Sequence, residues 1–344
     1  MRSLKLQNQV LLDKNSTPYF TAEINTGHFG KYELALKAID AAKAAGCDCI
    51  KFQSWAPESL YTEKYLIEHR IEHRMFKHLS LDAKQLKDLT LYCAEVGIDF
   101  CSTPYSFKEI DELVENANLP FIKIASMEIN NHGFLEYAGK TGVPIVLSTG
   151  MADLNEIGSA VESILSTGNT QIALLHCTSI YPTPDADLNL LNITKFMAEF
   201  PELLIGFSDH SLGLLAAPIA VGLGARLIEK HFTLDKSKPG FDNAMALNVE
   251  ELATLVADCK NAAKMLGNEE REVSLAEVKQ REVMRRSIYL TRDITAGEKF
   301  DETCFEFKRP GTGVEPNQVL KLIGKTAAHN LSSGDPIDFG SVRD

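Results

Sequence analysis

The 344-residue sequence has no excess of positive charge: 35 Lys and Arg stand against 47 Asp and Glu, a formal net charge of −12. A general nucleic-acid binder needs a basic face that releases counterions, and this balance argues against one. It leaves room for an anionic substrate, because a few cations focused in one cleft outweigh the mean field. Long apolar runs are missing too. The opening MRSLKLQNQV has no stretch suited to a signal peptide, and no segment reaches membrane-spanning length, so the expectation is a cytoplasmic protein with no membrane partner. Cysteine is sparse and odd in number: Cys47, Cys49, Cys93, Cys101, Cys177, Cys259 and Cys304 are scattered, which fits reduced, buried thiols. Cys47-Asp48-Cys49 lacks the two-residue gap usual in zinc or redox pairs. No Gly-rich phosphate loop follows the first β-like run, which disfavours a doubly wound open sheet.

What is present is a regular series of short β-rich runs. They read FTAEI (20–24), CIKFQ (49–53), DFCSTP (99–104), FIKIAS (121–126), PIVLST (144–149), IALLHCTS (172–179), LIGFSDH (204–210) and LIEKHFT (227–233). Amphipathic segments separate them, such as YELALKAIDAAKAAG, where Gly46 is placed to end a helix. Eight alternations of strand and helix predict an α/β (β/α)8 TIM barrel over residues 1–267. MRSLKLQNQVLL reads as a hairpin closing the barrel floor. The charged NEEREVSLAEVKQREVM (268–284) reads as a helical linker. Residues 285–344 read as a small, mainly β domain in which RDITAGEKF and NLSSGDPIDF echo each other.

In such a barrel the active site lies at the C-terminal ends of the strands. Those ends carry Glu23, Lys51 with Gln53, Thr103, Lys123 with Ser126 and Glu128, Ser148, Thr178 with Ser179, Ser208 with His210, and Glu229 with His231. Side chains two apart on a strand share a face, so Ser208 points with His210 and Glu229 with His231. A single strand-end histidine is more often hydrogen-bonded structure than a ligand. Two at matching positions on neighbouring strands, with a glutamate beside them, point to a divalent metal such as Mn²⁺, Co²⁺ or Zn²⁺. Two lysines and several hydroxyls converging on one mouth suit phosphate or carboxylate. His69, His73 and His78 have near-helical spacing but too little carboxylate or cysteine company for ligands, and read as a solvated lid or helix face.

These motifs resemble one family along almost the whole chain, the sialic acid (nonulosonic acid) synthases. The resemblance rests on AEI (22–24), IKFQ (50–53), STP (102–104), KIAS with Glu128, LSTGM (147–151), HCTSIYPTP (176–184), SDHS (208–211) and IEKHFT (228–233). It continues through KRPGTG (308–313) in a tail similar to the antifreeze-like (SAF) domain. The resemblance implies condensation of phosphoenolpyruvate with an open-chain 2-acetamido sugar, C–O cleavage, and release of phosphate with a nine-carbon 2-keto acid. It implies that His210 and His231 hold Mn²⁺ or Mg²⁺ as a Lewis acid. It places phosphoenolpyruvate on Lys51, Thr103, Lys123, Ser126, Ser148 and Ser208, and the sugar on Gln53, Glu128, Tyr181 and Asp242. Glu23 is then the candidate for handling the protons of the added water, with Glu229 orienting a metal-bound one. Arg309 would reach the sugar's acyl group from the partner's tail, in a swapped homodimer.

The sequence departs from the family pattern around the sugar. NTGHFG (25–30) displaces His28 by one position, Ser179 stands where Asn is frequent, and Gly240-Phe241-Asp242 replaces Gly-Pro-Asp. N-acetylmannosamine would give N-acetylneuraminic acid, and di-acetamido-trideoxy hexoses would give legionaminic or pseudaminic acid. Two other readings compete with a synthase. A Schiff-base aldolase would use Lys51, Lys123 or Lys230 as nucleophile without metal. A degenerate barrel carrying a glycan- or ice-binding tail would need no chemistry, but would gain little from its charged strand ends.

Overall fold

The structure, a computed structural model, describes residues 3–238, 242, 243 and 245–344. Each apolar run forms a strand: β1 (Tyr19–Glu23), β2 (Cys49–Ser54), β3 (Asp99–Pro104), β4 (Ile122–Ile124), β5 (Ile145–Ser148), β6 (Ile172–Cys177), β7 (Leu204–Asp209) and β8 (Leu227–His231). The strands are parallel, and hydrogen-bonded neighbours follow the order β3-β2-β1-β8-β7-β6-β5-β4. The two end strands of that order, β3 and β4, lie side by side with no ladder between them among the described residues. The Cys101 thiol, 3.6 Å from the Phe121 carbonyl, crosses this seam. The result is a nearly closed eight-stranded barrel with helices outside it.

The helices have local causes. In Ala83–Val96 the Asp82 carboxylate accepts from the Gln85 N–H while the Gln85 side chain accepts from the Asp82 N–H. Leu86, Leu89, Thr90 and Cys93 recur at helical spacing on the buried face. Gly97, at φ +76°, ends the helix in the left-handed region where a side chain is disfavoured.

Alternation along the strands separates two cores. Outward residues such as Phe20, Ile50, Phe100, Ile124 and Ile228 pack beneath the helices. Inward residues at the lower level, including Tyr19, Cys49, Cys101, Val146, Leu175 and Leu227, fill the barrel together with Leu4, Leu6 and Leu12. Those three leucines belong to the N-terminal segment, whose hairpin pairs Ser3–Lys5 with Leu11–Asp13. It plugs the floor as its apolar alternation predicts.

Residues 268–344 form a second compact unit, and the linker helix Leu275–Met284 belongs with it. Ser287–Leu290 pairs antiparallel with Phe305–Lys308, and Thr326–Ala327 with Val342–Arg343, around Ile288, Leu290, Phe300, Leu322 and Ile337. The sequence echo is structural. Ile294 and Leu331 exchange both backbone hydrogen bonds at 2.9 Å. The Thr295 N–H donates to Glu298 Oε2 at 3.0 Å, and its counterpart Ser332 N–H to Asp335 Oδ2 at 2.9 Å. Gly297 and Gly334 share a left-handed conformation at φ +81° and +85°.

Candidate active site

β8 sets the pattern of the mouth. Leu227 points into the floor core and Ile228 out beneath the helices; Glu229 and His231 point in, and Lys230 points out. Lys230 therefore faces away from the mouth. Its ammonium lies 2.8 Å from Asp209 Oδ2 and donates to the Ser211 carbonyl at 2.6 Å, while Asp209 Oδ1 accepts from the Ser211 N–H and hydroxyl. This buried ion pair rules out Lys230 as the nucleophile of an aldolase.

The inward groups surround a cavity of about 380 Å³. On one side the Lys51 ammonium is ion-paired with Glu23, donates to Thr103 Oγ1 at 3.2 Å and lies 3.8 Å from Glu229 Oε2. On the other, Lys123 donates to Ser148 Oγ at 2.7 Å and to the Ile124 carbonyl at 3.2 Å, and lies 3.8 Å from Glu229 Oε1. Ser208 donates to Glu229 Oε1 at 3.0 Å. Glu229 is thus held between two lysines, one on β2 and one on β4, that flank β3.

This geometry drives the two carboxylates apart. Burial raises the Glu23 pKa, Lys51 opposes the rise and Glu229 adds to it, leaving Glu23 above the ordinary range. Burial would raise Glu229 too, but Lys123, Lys51, His210 and Ser208 outweigh it and keep it ionised. Burial also works against the Lys51 ammonium, yet Glu229 and Glu23 hold it above its usual range. For Lys123 burial prevails over Glu229, and its pKa falls.

The histidine rings lie 5.4 Å apart between centroids, with the Tyr181 ring 4.2 Å from His210. His210 Nδ1, 2.9 Å from the Thr178 carbonyl, is assigned as the donor there, which leaves Nε2 as the free position. Burial lowers the His210 pKa, but the neighbouring Cys177 thiol, 3.8 Å from Nδ1, and the Thr178 carbonyl reverse that and leave it raised. His231 is pushed well below its usual value by burial and by His210, and is neutral; its Nδ1 lies 3.6 Å from Asp242 Oδ2. Asp242 in turn accepts from the Asn25 side chain, while the Asn25 N–H donates to Glu23 Oε1 at 2.5 Å.

Of the residues expected to meet here, Lys51, Gln53, Thr103, Lys123, Ser126, Ser148, Tyr181, Ser208, His210, Glu229, His231 and Asp242 line the cavity. Glu23 is fully buried beside Lys51. Glu128 does not line the cavity; its Oε2 accepts from Asn131 Nδ2 at 2.8 Å. Arg309 is exposed in the second unit, after the strand Phe305–Lys308 and before a cis proline. His28 has left the mouth, its Nδ1 accepting from the Gly30 N–H at 3.1 Å and its ring 6.1 Å from Phe52. Gly240 and Phe241 lie outside the described residues.

A model of the family described as NeuB matches residues 38–271, and one of the SAF domain matches residues 285–343. The chain belongs to the NeuB family. It is 35% identical over 331 residues to the N,N'-diacetyllegionaminic acid synthase of Legionella pneumophila, covering 92% of each chain. It is 34% identical over 334 residues to a pseudaminic acid synthase of Campylobacter jejuni, covering 94% of this chain and 96% of that one. A solved N-acetylneuraminic acid (sialic acid) synthetase from Leptospira borgpetersenii, in complex with citrate, superposes with a TM-score of 0.75 at 32% identity, covering 81% of this chain and 95% of that one. The chain is therefore an enzyme, a synthase of the NeuB family with a C-terminal SAF domain.

A divalent cation suits the donors of this NeuB mouth. Glu229 Oε2 is buried with no hydrogen-bond partner among the described residues, and neutral His231 and the free nitrogen of His210 stand nearby. Among the described residues no three His, Cys, Asp or Glu side chains gather as a metal site.

Sequence reasoning missed Cys177 and Tyr105 as lining residues. Cys177 lies two positions beyond Leu175 on the same inward face of β6, so alternation carries that signal. Tyr105 follows directly on β3 and donates to Gln53 Oε1 at 3.2 Å. Gly150 presents its N–H to Ser126 Oγ at 3.0 Å, and any Cβ there would collide with the hydroxyls of Ser179 and Ser126. Ser179 Oγ is buried without a partner among the described residues and adjoins the cavity, the polar group a ligand would satisfy.

Proposed function

We propose that the protein condenses phosphoenolpyruvate with the open-chain aldehyde of an N-acylated amino sugar, giving a nine-carbon 2-keto sugar acid and phosphate. The observation that carries this reading is the pair of buried lysines on β2 and β4, either side of β3, each backed by a hydroxyl, with one ionised carboxylate between them. A phosphate and a carboxylate on one small molecule need such a two-sided cationic cradle. Carbon 3 of phosphoenolpyruvate would bond to the aldehyde carbon as the aldehyde π bond breaks, its oxygen gaining a proton from solvent to become the new hydroxyl, while positive charge develops at carbon 2. Glu229, kept ionised by its neighbours, stabilises that charge at close range. Water adds at carbon 2, and Glu23, whose raised pKa makes it the readier proton acceptor, takes the proton. The tetrahedral centre then breaks its C–O bond to phosphate, which leaves on the lysines.

His210 and His231, with Asp242 and Glu229 beside them, would hold Mn²⁺ or Mg²⁺, which when bound supplies a Lewis acid for the aldehyde oxygen. Gln53, Tyr181 and Asp242 would contact the sugar, as would Glu128 if the mouth closes on it. Arg309 would meet the acyl group from the partner of a swapped homodimer. The names of the relatives support di-acetamido-trideoxy hexoses beside N-acetylmannosamine as sugars to test.

The test offers chelator-stripped enzyme phosphoenolpyruvate, Mn²⁺ and each sugar in turn, and follows phosphate. Metal-dependent release with one sugar is the expected result. Release from no sugar, together with borohydride trapping of Lys123 by a keto acid, would replace this reading with a Schiff-base aldolase. The lowered pKa of Lys123 is the feature such an enzyme would use.

A further inference from the structure

A second concentration of positive charge lies at the opposite end of the barrel. Lys14, in the turn that precedes β1, Arg226, immediately before β8, and Lys260 and Lys264, one turn apart on the helix Val249–Leu266, line a cavity of about 200 Å³ with Ser16 and Thr17. Among the described residues no carboxylate lines it. Four cations gathered in a chain of net charge −12 repel one another unless an anion joins them.

Arg226 makes this a built site. The residue is more than nine-tenths buried. Its Nε donates to the Lys14 carbonyl at 2.9 Å, and Nη1 to the Val221 and Ala225 carbonyls at 3.1 and 2.9 Å. Nη2 has no partner among the described residues. Lys260 donates to the Gly46 carbonyl at 2.8 Å, and Lys14 and Lys264 have no ion-pair partner among the described residues. Two carboxylates act on these cations from outside the cavity, Asp13 on Arg226 and Asp48 on Lys260, and each is also hydrogen-bonded within the chain: Asp13 accepts from the Asn15 N–H and the Ser16 hydroxyl, and Asp48 from the Phe20 N–H. A helix C-terminus favours a cation nearby, which accounts for Lys264 and for the Nη1 of Arg226, bonded to Val221 in the last turn of the helix Ala216–Gly222, but not for Lys14 or for Nη2.

We propose that this floor cavity is a second ligand site, for a small molecule carrying a phosphate group. A guanidinium edge, ammonium groups and hydroxyls match a phosphate dianion better than a monovalent carboxylate. The volume is below the roughly 300 Å³ where clefts for larger organic ligands begin. The site is separate from the catalytic mouth: five residues of β8 at ~3.3 Å each put about 16 Å between Arg226 and His231. It is joined to the mouth through the main chain. The Arg226 carbonyl accepts from the Tyr19 N–H at 2.9 Å and its N–H donates to the Ile205 carbonyl at 3.0 Å, so a ligand there bears on the starts of β1, β7 and β8.

The test counts bound inorganic phosphate by equilibrium dialysis of the full chain, in about 0.15 M chloride to screen diffuse attraction. The wild type binds one more phosphate per chain than Lys14→Glu/Lys264→Glu, whose two exposed positions leave the fold intact. Lys51→Ala retains the floor phosphate, so failure of the catalytic cradle and failure of the floor site give different counts. Equal counts for the wild type and the double variant would overturn the proposal. Displacement of the floor phosphate by acetate at equal concentration would overturn its assignment to phosphate.

Discussion

The two ends of the same eight strands are built on opposite principles. At the floor the inward positions are Tyr19, Cys49, Cys101, Val146, Leu175 and Leu227, packed against the leucines of the N-terminal hairpin. Two or four residues further along the strands, the inward positions become Glu23, Lys51, Thr103, Lys123, Ser148, Ser208 and Glu229. Burial is nearly complete at both levels, so exposure does not separate them. The floor gains free energy by leaving water. The mouth loses free energy by the same act and recovers part of it through ion pairs and hydrogen bonds that a substrate can exchange for its own. Stability is thus concentrated below and chemistry above.

The largest effect that separates these roles is expected behind the mouth. Lys230→Met leaves Asp209 buried and unpaired and should cost about 3–5 kcal/mol in urea unfolding, whereas the double variant with Asp209→Leu should recover most of it. A double variant as unstable as the single one would mean that Asp209 has another essential partner. Next comes Lys123→Met, which removes one side of the cradle. Phosphate release should fall by about 10²–10³-fold, roughly 2.7–4 kcal/mol of barrier, with little change in thermal midpoint. An unchanged rate would remove Lys123 from the chemistry.

A pH effect follows from His28, whose pKa burial lowers from 6.5 to about 4. Between those values the unfolded chain binds a proton that the folded one refuses, so stability is full above pH 6.5 and declines as pH falls towards 4. The loss is about 1.4 kcal/mol for each pH unit, and His28→Asn should flatten it in denaturation curves recorded across that window. The smallest effect belongs to the floor. Leu227→Met conserves volume and should cost under about 1.5 kcal/mol with kcat/KM unchanged. A large catalytic loss there would show that the two levels are not independent.

Much of this was legible in the residues. The strands could be read because each joins a short apolar run to polar or ionisable residues, a combination that fits a strand ending at a barrel mouth. The matched spacing of Ser208 with His210 and Glu229 with His231 gave their common face. The same alternation places Lys230 outward between Glu229 and His231, yet a lysine in a list of strand-end charges reads as a nucleophile until its face is assigned. Asn25 was beyond reach, since its role depends on a left-handed φ of +43° within a loop. Asp242 was recognised by motif alone, because its contact with Asn25 spans 217 residues of chain that no local pattern encodes. Glu128 is the converse case, a motif position whose side chain turns to Asn131 and lies outside the cavity lining.

The seam between β3 and β4 gives the barrel a mechanical character. Seven of the eight junctions have hydrogen-bond rungs; this one, among the described residues, has none. Lys51 and Thr103 stand on one bank of the gap, Lys123 and Ser148 on the other. An anion gripping both lysines would act as a clasp on a split ring, closing it from above where the backbone does not. The enzyme would then stiffen as it fills, and amide hydrogen exchange along β3 and β4 should slow on adding phosphoenolpyruvate more than it does along β6 and β7.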